Sequence, residues 1–305
     1  MKSFARRALT ILAIAVLAAF SPAQAQERLN VVATFSILGD FAKNVGGDRI
    51  NVTTLVGANS DTHVYTPTAS DAKKITDAKL VIVNGLGLEG WLPRLVKSSG
   101  GRAATVVATK GITARKIEAG EALSQDHDAG SADPHAWQPV INAKIYVGNI
   151  RDALIAADPA GADAYKANAA SYLSKLDALD REVREAVAKI PPERRSVIST
   201  HDAFGYFAAA YGVRFIAPQG VSTESEPSAR DIAAIITQIK KQKIPAVFLE
   251  NVSDPRLIHR IASETGAKIG GTLYSDSLTD EKGPAPTYID MVRHNIKALT
   301  SALSS

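Results

Sequence analysis

The chain has 305 residues, with 35 lysines and arginines against 31 aspartates and glutamates, and no cysteine. This balance provides no basic stripe for nucleic acid and no thiol for a disulfide, so the fold must rest on its hydrophobic core. The length suffices for two domains.

Residues 1–25 read as a signal peptide lying outside the fold. Lys2, Arg6 and Arg7 form a positive start, residues 8–20 an apolar run too short to span a membrane, and Ala23-Gln24-Ala25 a small-x-small cleavage site. Without those three cations the basic count falls to 32, so the mature chain is close to neutral. With no cysteine near the cut, the expectation is a soluble, exported, periplasmic protein without a lipid anchor.

Residues 26–157 alternate short apolar runs with helical spacing. Strands are predicted at 29–34, 52–56, 80–83 and 104–108, with helical segments at 39–45, 68–78 and 89–97. This order implies a parallel sheet covered on both faces. Residues 158–190 predict a long connecting helix: Asp158-Pro159 resembles an N-cap with a first-turn proline, and Pro191-Pro192 stops it. Tyr165, Ala169, Tyr172, Leu176, Leu179, Val183 and Val187 fall on one apolar stripe. Residues 191–305 repeat the first scheme, with strands at 196–200, 213–217, 246–250 and 268–273 and helices at 204–211, 228–241 and 255–265. The fold class is therefore α/β: two lobes, each a parallel sheet flanked by helices, joined by a long rigid helix.

The two lobes also match in letters. The segment 34–42, TFSILGDFA, aligns with 200–208, THDAFGYFA, and Pro67-Thr68-Ala69-Ser70-Asp71 aligns with Pro227-Ser228-Ala229-Arg230-Asp231. Both prolines are expected in the first turn of a helix.

Of six histidines, His63, His135 and His201 occupy loops that follow predicted strands, as does Asp276. Ligands of open parallel sheets bind outside the carboxyl ends of the strands, and a cleft between lobes is a favoured site. A set of three imidazoles and one carboxylate suits a first-row divalent cation, zinc above all. Taken singly, each has a plainer reading: a surface histidine or helix cap, a turn at Asp133-Pro134-His135, an Asx-turn at Asp276. Glu250, at a strand end, reads as a carboxylate supporting a ligand. His127 lies in a polar loop, 118–133, with transient metal contact as its alternative, while His259 and His294 fall in helices.

These residues resemble the cluster A-I metal-binding proteins of ABC transporters, the zinc and manganese solute receptors. The motifs are Thr62-His63-Val64-Tyr65-Thr66-Pro67, Asp133-Pro134-His135-Ala136-Trp137, the run from Ser199 through His201 to Phe207, Glu226-Pro227-Ser228, and Tyr274-Ser275-Asp276-Ser277-Leu278. The resemblance implies His63, His135, His201 and Asp276 as the metal ligands. It implies a monomeric receptor delivering Zn²⁺ to a membrane permease, with a periplasmic metallochaperone as a possible further partner. Manganese and iron members commonly carry glutamate where this chain has His201, which favours zinc; Mn²⁺, or dual binding, is the alternative. Many zinc members carry a His-rich loop, whereas 118–133 holds only His127. No His-Glu-x-x-His or Gly-x-Ser-x-Gly motif supports a hydrolase, so no enzyme is expected.

Overall fold

The computed structural model describes residues 27–117 and 130–304. The expected signal peptide, residues 1–25, and His127 lie outside them. Eight strands form two four-stranded sheets, each wholly parallel. The N-terminal sheet has the order β2-β1-β3-β4, with β1 at Leu29–Phe35, β2 at Ile50–Val56, β3 at Leu80–Val83 and β4 at Ala104–Val107. The C-terminal sheet has the order β6-β5-β7-β8, with β5 at Ser196–Ile198, β6 at Arg214–Ile216, β7 at Ala246–Glu250 and β8 at Lys268–Leu273. The matching orders give the sequence repeat a structural counterpart, with TFSILGDFA at the end of central strand β1 and THDAFGYFA at the end of central strand β5.

The helices are α1 (Ser36–Gly46), α2 (Ala69–Asp77), α3 (Leu92–Ser98), α4 (Val140–Ala157), α5 (Ala162–Ala188), α6 (Gly205–Tyr211), α7 (Ala229–Gln242), α8 (Pro255–Thr265) and α9 (Tyr288–Leu303). The second repeated motif starts α2 and α7 in the same way. Thr68 and Ser228 are the N-caps, and each closes a capping box with Asp71 or Asp231. Pro67 and Pro227 therefore stand one residue before the cap, not in the first turn, where fixed φ still steers the chain into the helix. The repeated glycine has a packing cause. A Cβ at Gly39 would collide with the Thr54 side chain, and one at Gly205 would lie 2.8 Å from Asp133 Oδ2.

The long helix α5 buries all seven residues of the predicted stripe, each at most 3% exposed. Twenty-seven residues make a rod of about 40 Å. Its start differs from expectation. Residues 159–161 form a 3₁₀ turn, and the Asp158 side chain does not cap it. Instead Asp158 Oδ2 accepts hydrogen bonds from Arg49 Nη2 and the Tyr165 hydroxyl, both at 2.7 Å.

The rod is fastened at both ends. Asn168 donates to Val45 O at 3.0 Å and Tyr172 to Asp40 Oδ2 at 3.3 Å, both on α1. Toward its other end Asp180 accepts the Tyr211 hydroxyl at 2.7 Å, and Glu182 accepts two bonds from Arg293 at 2.8 Å each. One continuous apolar core runs from β1 through α4 and α5 to α9, and two smaller clusters lie on the outer faces of the sheets. No helix among the described residues is long and apolar enough to cross a membrane.

Candidate metal centre

His63 follows β2, His135 lies between β4 and α4, His201 follows β5, and Asp276 follows β8. Because all strands within a sheet run parallel, these loops emerge at carboxyl ends, and the two ends face each other. All four residues are buried, His63 at 8% exposure and the other three at 0%. One donor atom from each lies within 4.8 Å of all the others. His201 Nε2 is 3.0 Å and His63 Nε2 3.3 Å from Asp276 Oδ2, His135 Nε2 is 3.5 Å from Asp276 Oδ1, and the His63 and His135 Nε2 atoms are 3.3 Å apart. A tetrahedron with bonds of about 2.0–2.1 Å to zinc has edges of roughly 3.3–3.4 Å. The spacings bracket that value.

The polar accounting also points to a cation. Both carboxylate oxygens of Asp276 and the Nε2 of His201 are buried without a well-directed hydrogen bond. Buried polar atoms are normally satisfied, and a cation at their centroid would satisfy all of them. Burial opposes an imidazolium at His135, but Asp276 and Asp133 outweigh it and push its pKa up to about 9. At His201 burial acts the same way, and Glu250 and Asp276 override it to raise the pKa well above the usual histidine range. Burial would raise Asp276, yet the facing His201 and His135 hold it well below the usual carboxylate range. The acid keeps its charge, and the imidazoles share protons that a metal would displace.

Neighbouring strands set the rings. Glu250 ends β7, beside β5 in the sheet, so its Oε1 accepts the N–H groups of Thr200 and His201 at 2.7 and 3.0 Å. Its Oε2 lies 2.6 Å from His201 Nδ1. Asp133 Oδ1 sits 3.0 Å from His135 Nδ1 and accepts the His135 N–H at 2.9 Å. A carboxylate at Nδ1 keeps the proton there and turns the Nε2 lone pair inward. Asp133 is in turn contacted by Arg115, at 3.3 Å. Asp61 Oδ1 accepts the N–H of His63 at 2.8 Å. Both Asp61 and Asp133 stand two residues before a site histidine. That repeated Asp-x-His spacing is the signal by which these supports could have been found in the sequence.

Ties between the lobes flank the cluster. The Nε1 of Trp137 and the Nε2 of Gln138 both donate to Ser275 O at 2.9 Å, next to Asp276. Trp137 lies edge-on to His135 and packs on Phe35, with ring centroids 5.3 and 5.0 Å away. In the repeat alignment Phe35 takes the place of His201, so one lobe offers at this position a donor and the other an apolar wall. The other described histidines are elsewhere. His259 is exposed on α8, and His294 places Nε2 3.1 Å from Thr272 O.

Comparison with known proteins establishes the family. The family described as zinc-uptake complex component A, periplasmic (ZnuA), matches residues 31–302. The iron-binding protein YfeA of Yersinia pestis is 36% identical, over 95% of this chain and 91% of its own length. The manganese-binding lipoprotein MntA of Halalkalibacterium halodurans is also 36% identical, over 91% and 89%. The solved structure of the periplasmic zinc-binding protein TroA from Treponema pallidum superposes with a TM-score of 0.84 at 31% identity, covering 92% of this chain and 100% of that one. With its two parallel sheets and buried cluster between them, the chain belongs to the ZnuA family of cluster A-I periplasmic metal-binding proteins, the substrate-binding components of ABC transporters.

Proposed function

We infer that this protein is a periplasmic receptor that takes up one Zn²⁺ between its lobes and delivers it to the permease of an ABC transporter. Lobes 26–157 and 191–305 are the jaws, and 158–190 is the strut between them. His63, His135, His201 and Asp276 hold the ion. The observation carrying this reading is the convergence of three imidazoles and one carboxylate, with one donor atom of each within 4.8 Å of all the others. Four protein donors close the coordination shell, which suits capture and transfer; a hydrolytic zinc keeps a position for water.

Zinc is favoured over manganese by donor softness: three imidazoles against a single hard carboxylate. TroA, whose structure is named for zinc, supports that choice. A second reading, manganese or dual Zn/Mn transport, draws on the relatives named for iron and manganese. Calorimetric titration of the metal-free protein with ZnCl₂ tests the receptor reading. One site per chain is expected, lost or greatly weakened in His201→Ala. Equal binding by wild type and His201→Ala would overturn the assignment of the site.

A further inference from the structure

The four donors are not held alike. His135 and His201 each have a carboxylate at Nδ1, and the Asp276 loop is pinned across the cleft by Trp137 and Gln138. Among the described residues no carboxylate backs the His63 ring on its outer nitrogen. His63 is also the only one of the four with measurable exposure. Its position is fixed through the backbone, by Asp61 Oδ1 at 2.8 Å.

The other oxygen of Asp61 crosses the cleft. Thr223 of the C-terminal lobe donates its hydroxyl to Asp61 Oδ2 at 2.6 Å. The loop bearing Thr223 is itself anchored: Gln219 Nε2 donates to the carbonyls of Thr223 and Ser225 at 3.1 and 2.9 Å, and Gln219 bridges to His201. On the opposite side the Trp91 indole donates to Thr62 O at 2.9 Å, tying the His63 loop to its own lobe. Two surface cavities flank this crossing. One is lined by Asp61, Val64 and Thr223, the other by His63, Val64 and Glu224. The same loop is also tied to the C-terminal lobe by Asn59 N–H to Leu278 O at 2.9 Å and Ser60 N–H to Ser277 Oγ at 3.3 Å, and the Asp61–Thr223 bond is the crossing tie nearest the least supported donor.

The geometry points to Asp61 and Thr223 as a latch on the metal's door, with His63 as the donor that leaves first and joins last. This rests on the metal-receptor reading. When the bond opens, residues 61–63 swing away from Thr223 while the loop stays tied to the C-terminal lobe at Asn59 and Ser60, and His135, His201 and Asp276 stay locked. A latch slows capture and release alike, so breaking it changes rates more than affinity. Asp61 and Thr223 are positioning residues, since neither faces the ion.

The test is stopped-flow transfer of Zn²⁺ from the loaded protein to a chromogenic chelator, with calorimetry on the same samples. Thr223→Val removes the crossing bond and leaves Asp61 to receive the His63 N–H, whereas Asp61→Asn keeps that acceptor and leaves only a neutral bond, its amide N–H donating to the Thr223 hydroxyl. Thr223→Val should release zinc about tenfold faster, the loss expected for one hydrogen bond to a charged group, and Asp61→Asn by a smaller factor. Thr223→Ser, which keeps the hydroxyl, should stay within about twofold of wild type. So should Tyr206→Phe, which cuts a different cross-cleft bond, from the Tyr206 hydroxyl to Asp133 O at 3.1 Å. Wild-type rates in Thr223→Val would overturn the latch while leaving the receptor intact, as would equal acceleration by Tyr206→Phe. Absence of zinc binding by the wild type would overturn both readings.

Discussion

Glu250 grips His201 twice: its Oε2 lies 2.6 Å from the imidazole Nδ1, and its Oε1 accepts the backbone N–H of the same residue at 3.0 Å. Flipping the ring would forfeit the charge contact at Nδ1. The negative charge also enriches Nε2 as a donor to metal. Glu250→Gln keeps an acceptor for the backbone but removes that charge. It should weaken zinc binding by about 10–100-fold, measured by competition with a chelator of known affinity. Unchanged affinity would show that the ring is held by packing alone.

Proton release should accompany binding. The metal takes neutral imidazole, whereas His135 in the metal-free protein keeps its proton up to a pKa of about 9. Below that value each bound ion must expel protons, so affinity rises with pH from the neutral range up to about 9. Titrations at about pH 7.5 in buffers of different ionisation enthalpy should show a net release of at least about one proton. Heats independent of buffer would contradict the charge assignment.

The fastened rod limits lobe motion. With Asn168 and Tyr172 tied to α1, and Asp180 and Glu182 tied to α6 and α9, a wide clamshell opening would break bonds at both ends. Small-angle scattering should show radii of gyration for metal-free and zinc-loaded protein within about 1 Å, unlike hinge-type binding proteins. A change of several ångströms on loading would exclude a stiff connector.

Leu179 lies at 0% exposure in the middle of the stripe. Leu179→Ala should cost about 2–5 kcal/mol in chemical denaturation yet leave zinc stoichiometry unchanged, since it touches none of the donors. Loss of zinc binding in folded Leu179→Ala protein would mean that the rod sets the site's shape directly.

Much of this was legible in the sequence because its causes are local. The stripe from Tyr165 to Val187 is a period that only a helix buries, and all seven positions are buried as expected. Strands β3, β7 and β8 coincide with their apolar runs. Helix α4 went unread because its apolar residues are spread around the axis: Ile141 is 47% exposed while Val140, Ala143, Tyr146 and Val147 are buried, so no clean stripe marks the core side. The four proposed donors stood out in the sequence because each lies in a loop beyond a strand. Their supports stood out less, since pairing Glu250 with His201 requires knowing that β7 neighbours β5. The crossing from Thr223 to Asp61 joins residues 162 positions apart, and no local pattern encodes it.

The central claim is that three imidazoles and one carboxylate select and hold a single zinc ion. Its most direct test is elemental analysis of the metal-free protein after equilibrium dialysis against equal concentrations of Zn²⁺ and Mn²⁺. About one zinc per chain, with little manganese, is the expected result. Predominant manganese, or no bound metal, would contradict it.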